Sequence, residues 1–521
     1  MVPLTKVLLI GVDSADPDLI ERWGAMGDLP NLMKLRARSA WSRVTNSHAG
    51  IDAGSAWPTF NSGLNPGRQP QYEGMRYFNP KNYEDSYYAP DEAASVFWQD
   101  LSKAGLRSFV MDAPFAHLDP RINGVQIVDW APHDSPHPGG RYRFATQPES
   151  VAEEVLALVG PDPAGGIDCD SYLCETISDY KRFIQIHTDR IRKKAELAKH
   201  YLAKGKWDLF FVVVADLHCA GHHLWHINDR AHPRYSKQYE DALGEPLRTM
   251  YREMDAFVGE LLTMVDDSTL LVFYASHGMG PQYTGTGLLD RILYHIERGV
   301  RRNTSGKTLK GRARSVWRSI PPDLRAKINP VKKRLGAPLI HDVFLPDRDK
   351  RKFFEVYATN GAGGVRVNLK GREAYGIVDP SDYTRLLDEL EKDLREVINR
   401  ETGEPLILNF NRPQEVYPGP YAAGLPDLVV DWNRNNAIQV VYSDKIGTIW
   451  QEYANARTGD HTSEGMFFAT GHAVPPGRLN HNVAAVDFAP TIRSIFGLPS
   501  GATDGEAIGA LVRGPLAVAR G

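Results

Sequence analysis

Six short apolar runs, each ended by Gly, Asp, Pro or a polar turn, limit what this chain can fold into. Val7 to Val12, Ser108 to Met111, Leu209 to Val214, Thr269 to Tyr274, Leu428 to Val430 and Met466 to Ala469 are rich in β-branched and aromatic residues. Apolar runs without polar alternation belong to strands buried on both faces, the condition of a parallel sheet covered by helices on either side. Helical patterns lie between them, at Ala195 to Leu202, Leu247 to Val265 and Tyr383 to Ile398, spaced as crossover connections require. The expectation is therefore α/β: a mostly parallel central sheet flanked by helices, with an inserted α/β subdomain. A length of 521 residues with 42% hydrophobic and 24% charged side chains suits such a core and excludes a disordered or fibrous chain.

In open sheets of this kind, ligands gather beyond the carboxyl ends of the strands. Asp13 follows the first run, Asp216-Leu217-His218 follows Val214, and Ser276-His277-Gly278 follows Tyr274; Gly459-Asp460-His461 instead precedes the run at Met466. Five of the 17 histidines, His218, His222, His223, His226 and His232, fall within one short stretch. On a helix or tight turn, His218 and His222 lie on one side, as a shared divalent ion requires. The competing reading is a set of core histidines beside Trp225; His223, His226 and His232 are read as structural or supporting. Asp13 alone reads as a helix cap, but with His277 and His461 it joins a set of separated ligands able to converge on a bimetallic centre.

Gly54 to Gly63 reads as a turn and a short helix, with Ser55 at the N-cap, Pro58 in the first turn and Gly63 as terminator. A hydroxyl there faces the positive end of the helix, which favours an alkoxide and an incoming phosphate. The alternative is a plain cap, worth ~1 kcal/mol.

A net charge of −3 points to no polyanionic partner for the whole chain. From Arg298 to Leu335, however, thirteen Lys or Arg face one acid, Asp323, so this stretch carries 13 − 1 = +12 and the remainder −15. It is read as a basic insertion or arm, either a solvated face packed on the acidic body or a surface for an anionic partner. The three cysteines, Cys169, Cys174 and Cys219, are too few for a disulfide framework, and Cys169 and Cys174 are read as reduced thiols rather than a pair. No apolar run approaches the ~20 residues of a membrane span, and no signal peptide is evident, so a cytoplasmic location is expected. The expected organisation is residues 1–296 as the first part of the core, 297–410 as the basic segment and inserted subdomain, and 411–521 as the second part.

Ile10-Gly11-Val12-Asp13, the stretch from Ser55-Ala56-Trp57-Pro58 to Ser62-Gly63-Leu64-Asn65-Pro66, Asp216 to His222, Ser276-His277-Gly278-Met279, Gly459-Asp460-His461 and the tail from Ala485 to Pro499 resemble, in that order, the alkaline phosphatase superfamily. The branch they resemble is that of the type I phosphodiesterases and nucleotide pyrophosphatase-like proteins, over nearly the whole core from Val7 to Gly505. The resemblance implies two divalent ions, usually zinc with manganese as an option, and a Ser or Thr nucleophile that is transiently phosphorylated. Carried over by residue, Asp13, Ser55 and His277 hold one ion, and His218, His222 and His461 hold the other. The chain departs from the family at Ser276 and at His218, where Asp is common, which leaves Asp216 as an alternative ligand. The family spacing puts the nucleophile at Ala53, so Ser55 takes that role, with Thr59 as second choice; Gln69 replaces a common His. The implied function is metal-dependent hydrolysis of phosphoric esters, a phosphodiesterase before a monoesterase, with substrate selected by the insertion and by a loop region carrying Tyr72, Tyr77 and Tyr87. The alternatives are an inactive scaffold or anion-binding protein of the same fold, and a sulfatase or phosphonate hydrolase; the Cys/Ser-x-Pro-x-Arg pattern of sulfatases does not occur at Ser55.

Overall fold

The computed structural model describes residues 6–46, 54–72, 76–87, 94–132, 144–166, 169, 172, 174–285, 287–299, 347–358, 361–451 and 457–512. The basic stretch from residue 300 onward and Ala53 lie outside the described residues. The apolar runs assemble a ten-stranded sheet, in the order Gly477–Arg478, Ala40–Thr45, Glu464–Thr470, Thr269–Ala275, Lys6–Val12, Leu209–Val214, Ser108–Met111, Gly124–Val128, Ala145–Gln147, with Val483–Ala484 also pairing with Ala40–Thr45. The middle strands are parallel, while Glu464–Thr470 and Ala145–Gln147 run against their neighbours.

Strand parity divides the core. Leu8, Ile10, Val12, Phe210, Val212 and Val214 face one layer, which holds the helices Pro17–Ala25, Pro30–Ala37, Ile177–Lys204, Asp216–Asn228 and Pro246–Leu262. Val7, Leu9, Leu209, Phe211 and Val213 face the other, packed with Trp57, Phe60, Phe97, Trp98, Phe488 and Ile492. Side chains of a strand alternate between faces, so a run apolar at every position requires cover on both sides. Each fully buried Val, Leu or Phe contributes ~1.5–3 kcal/mol of transfer free energy, which fixes the register of the central strands.

A separate core belongs to a four-stranded sheet, Phe353–Val356, Ala362–Val367, Leu428–Trp432 and Ile407–Asn411, flanked by the helices Leu289–Arg298 and Tyr383–Arg395. The latter buries Leu387, Leu390 and Leu394 at helical spacing. Leu428 to Val430 thus lies in this smaller sheet, antiparallel to Ala362–Val367, and not in the main sheet as expected. A run of three apolar residues specifies burial but not a partner, and Gly363 supplies the difference: a Cβ there would come within 2.9 Å of Val430 Cγ2. Among the described residues, no helix is long and apolar enough to cross a membrane.

Candidate active site

Val12 pairs with Val214 on one side and Ala275 on the other, so Asp13, Ala215 and Ser276 leave the sheet at one level. The turn is tight: Ser14 adopts φ 57°, a left-handed conformation uncommon outside glycine. Asp13 Oδ1 accepts hydrogen bonds from Trp57 Nε1 and Ser276 Oγ, both at 2.8 Å. Because the Ser276 hydroxyl donates to Asp13, His277 Nδ1–H donates to Ser276 Oγ at 3.0 Å, and His277 Nε2 accepts from Ser14 Oγ at 2.8 Å. Asp13, Ser14, Ser276 and His277 therefore form one buried network at the sheet edge.

The second set of side chains abuts the first. His218 and His222 stand one turn apart on Asp216–Asn228, with ring centroids 4.5 Å apart. His461 comes from Gly459–Thr462, a short strand antiparallel to Gly278–Pro281, and its ring lies 4.5 Å from that of His277. His222 Nε2 is 3.3 Å from His218 Nε2 and 3.0 Å from His461 Nε2. His222 Nδ1 donates to Gly459 O at 2.7 Å, so in the neutral ring the Nε2 lone pair points at the other two imidazoles. Three imidazoles so gathered could hold a divalent ion. Glycine at 459 is a steric requirement, since a Cβ would meet Gly221 O at 2.2 Å. Arg457 Nη1 lies 3.2 Å from His222 Nε2, and Arg434 Nη2 donates to Pro281 O and Asp460 O, both at 3.0 Å, tying down the His461 strand. Burial pushes the Asp460 carboxyl up to about 6 against the pull of Arg434 and Arg457.

Ser55 precedes the helix Ala56–Ser62, which ends at Gly63 with φ 75°. Ser55 is fully buried and its side chain caps no helix N–H, unlike an ordinary N-cap serine. Its link to the ligand cluster runs through Trp57, two residues on, whose indole holds Asp13. Thr59 is buried one turn further along the same helix. Asp216, the alternative to His218, is engaged elsewhere: its Oδ1 accepts from His187 Nδ1 at 2.9 Å. Two residues apart on a helix, Asp216 and His218 face different ways, and the structure brings His218 to the cluster.

The neighbouring histidines brace this centre. His226 lies between Tyr180 OH at 3.2 Å and Thr458 Oγ1 at 3.1 Å, and burial holds its ring down to about 2. His232 stacks on Tyr283, with burial holding it down to about 4. His223 Nε2 donates to Cys169 O at 2.9 Å. Burial would raise the Cys169 thiol, but a hydrogen bond from Cys219 and the charges of Arg457 and His223 bring it down to about 6. Sequence reasoning missed Ser14, Trp57, Arg434, Arg457, Thr458 and the Cys169–Cys219 contact; the only local signals were adjacency to Asp13, Ser55, Gly459 and His218. A cavity of about 280 Å³ lies beside the later turns of the Ala56–Ser62 helix, lined by Asn61, Gln69, Gln99, His117 and Arg121, and includes none of the expected ligands.

The fold is thus an α/β protein whose mostly parallel sheet gathers Asp13, His277 and three further histidines at its carboxyl edge, next to a helix opened by a serine. Residues 7–465 match the family described as Type I phosphodiesterase / nucleotide pyrophosphatase, and the chain belongs to that family of phosphoester hydrolases. No curated protein matches the chain. Similar solved structures include murine ectonucleotide pyrophosphatase / phosphodiesterase 5, at 12% identity over 96% of this chain and 98% of that one with a TM-score of 0.47. The human ectonucleotide pyrophosphatase / phosphodiesterase 5 shows 12% identity over 96% and 97%, with a TM-score of 0.49. Phosphonoacetate hydrolase from Sinorhizobium meliloti 1021, in complex with phosphonoformate, shows 13% identity over 94% of each chain, with a TM-score of 0.46.

Proposed function

We propose that this protein is a metal-dependent phosphodiesterase in which Ser55 Oγ attacks phosphorus and displaces one ester oxygen as an alcohol, and water then cleaves the Ser55–phosphate bond to free the serine and a phosphate monoester. The observation that carries the reading is the convergence of the Nε2 atoms of His218, His222 and His461, with the His222 tautomer set by Gly459 O. His218, His222 and His461 would hold one divalent ion, zinc by donor type, and Asp13, Ser55 and His277 the second. When bound, the ions polarise a phosphoryl oxygen and stabilise the entering and departing oxygens of an in-line displacement. The chain's own groups do the rest. Trp57 and Ser276 orient the Asp13 carboxylate, and Ser276 fixes the His277 tautomer. Arg457, beside His222, would pair with a phosphoryl oxygen. The Ser55 hydroxyl, at the positive end of its helix, supplies the nucleophile.

Turnover of a bis-nitrophenyl phosphate by zinc- or manganese-loaded protein tests this. Ser55→Ala is expected to abolish turnover while the ion on His218, His222 and His461 is retained, and Thr59→Ala to keep turnover. Undiminished turnover in Ser55→Ala would overturn Ser55 as nucleophile, and phosphate found on Thr59 after quenching would move the role there.

One observation favours a second reading, a scaffold of the same fold without catalysis: the Ser276 hydroxyl, bonded to both Asp13 and His277, stands where the family commonly carries a metal-binding carboxylate. Two ions per chain after repletion support the enzyme, and none supports the scaffold. A salt-dependent anionic partner for residues 298–335 remains a proposal of its own, tested by neutralising Arg312, Arg314 and Arg318.

A further inference from the structure

Two of the three cysteines of this chain meet at the back of the histidine centre. Cys169, Cys219 and His218 present ligand atoms that all lie within 4.8 Å of one another, and all three residues are buried. Cys219 follows His218 on Asp216–Asn228, while Cys169 arrives from the segment ahead of Ile177–Lys204, its carbonyl held by His223 Nε2 at 2.9 Å. The cluster is thus braced from both sides, by a helix and by a hydrogen bond to the main chain of its third member. Donor atoms on one tetrahedral ion stand about 3.4–3.8 Å apart, so a small side-chain adjustment brings these three into bonding positions. Two sulfurs with one imidazole select soft and borderline cations over Mg²⁺ or Mn²⁺.

We propose that Cys169, Cys219 and His218 form a sulfur-rich site for a thiophilic divalent cation, Zn²⁺ or its softer analogue Cd²⁺, overlapping the three-histidine centre through His218. Binding displaces the two thiol protons and forms two sulfur–metal bonds and one nitrogen–metal bond, with no change of oxidation state. His218 Nε2 lies 3.3 Å from His222 Nε2 and an imidazole has two nitrogens, so the two ligand sets share a residue without having to share an atom. The inference goes beyond the phosphodiesterase reading and does not depend on it.

The test is a Cd²⁺ titration of the full chain, stripped of metal and kept reduced with a phosphine, following the ultraviolet thiolate-to-cadmium charge-transfer band. The band is expected to saturate at a single equivalent in the wild type, in Cys174→Ser and in His461→Ala. It is expected to vanish in Cys169→Ser and in Cys219→Ser, with folding checked by circular dichroism. If either serine variant fails to fold, the ¹¹³Cd resonance of the wild type reports directly whether two sulfurs are bound. Absence of the band in the wild type, its survival in Cys169→Ser, or its loss in Cys174→Ser would overturn the assignment. Loss of phosphodiester turnover in His461→Ala with the band intact separates this site from the catalytic one.

Discussion

On the His218 side of the site, imidazole nitrogens face one another at 3.0 and 3.3 Å with no carboxylate among them. On the Asp13 side, the carboxylate is bracketed by Trp57 and Ser276, and the His277 ring by Ser14 and Ser276. Both sets grow from the same edge of the same sheet, yet their energetics differ. His222 Nε2 is the acceptor of this set, so a neutral His218 or His461 can donate one N–H to it, whereas protonated rings repel, and a bound cation would take up all three nitrogens. In the second, Asp13 Oδ1 and the His277 ring are already held by hydrogen bonds, and a cation entering it must displace the Ser14 hydroxyl from His277 Nε2. If the proposed two-ion site forms, the ions should be unequal, with the histidine side binding first and the Asp13 side second and more weakly.

The largest effect expected to break or support this inequality comes from His222→Ala. Loss of a ligand should exceed the ~10–100-fold cost typical of an outer-shell change, in both zinc affinity and turnover. Calorimetric titration checks it: if the tight event survives and only a weak one disappears, the ranking is reversed.

Acid should also act on the histidine side, which is braced by two rings that burial holds far below their ordinary value. Burial holds His226 down to about 2 and His232 to about 4, against 6.5 in the unfolded chain. Between pH 6.5 and these values the unfolded state binds more protons, so stability is complete above 6.5 and falls as pH drops below it. By about pH 5 the loss should reach up to ~2 kcal/mol for each histidine, read as a lower urea midpoint. His232→Asn should remove about half of that dependence; an unchanged slope would detach His232 from it.

Much of the fold was legible because its strands are apolar at every position, a pattern that a doubly covered sheet demands. The helix Ala56–Ser62, with Ser55 before it and Gly63 after it, was legible for the same kind of local reason, a cap, a tolerated proline and a glycine in the left-handed region. The spacing of His218 and His222 announced a shared face, but not that His461, 239 residues later than His222, would meet them. That meeting depends on the pairing of Gly278–Pro281 with Gly459–Thr462, for which a four-residue strand carries almost no local signal. Leu428–Trp432 went to the wrong sheet because burial is written in a strand's own residues, whereas its partner is written in someone else's. Asp216 turns to His187 while His218 joins His222 and His461, a difference that helical geometry explains only once the segment is known to be a helix from its first residue.

Ser276→Asp sharpens the comparison from the weaker side. It places a second carboxylate beside Asp13, which costs stability in the metal-stripped protein through like-charge repulsion and raises cation affinity by roughly tenfold through ligand charge. The expected outcome is a lower melting temperature without metal and a second, tighter binding event with it. Equal affinity in both proteins would show that the hydroxyl at 276 is not what weakens this half.

The smallest effect expected is that of Thr458→Val. Thr458 is buried, its N–H donates to His222 O at 2.6 Å and its Oγ1 to the same oxygen at 3.1 Å, while His226 Nδ1 reaches that Oγ1 at 3.1 Å. Valine keeps the shape and the N–H but removes the hydroxyl, leaving the His226 ring nitrogen without this partner. Because the lost bond grips the main chain of His222 and not its ring, the cost in zinc affinity should sit at or below the lower end of the ~10–100-fold range seen for outer-shell partners. A loss as large as that of His222→Ala would mean that Thr458 sets the position of the His222 ring itself; no loss would mean that Gly459 O alone holds the tautomer, and would place the whole of the orientation in a single backbone carbonyl.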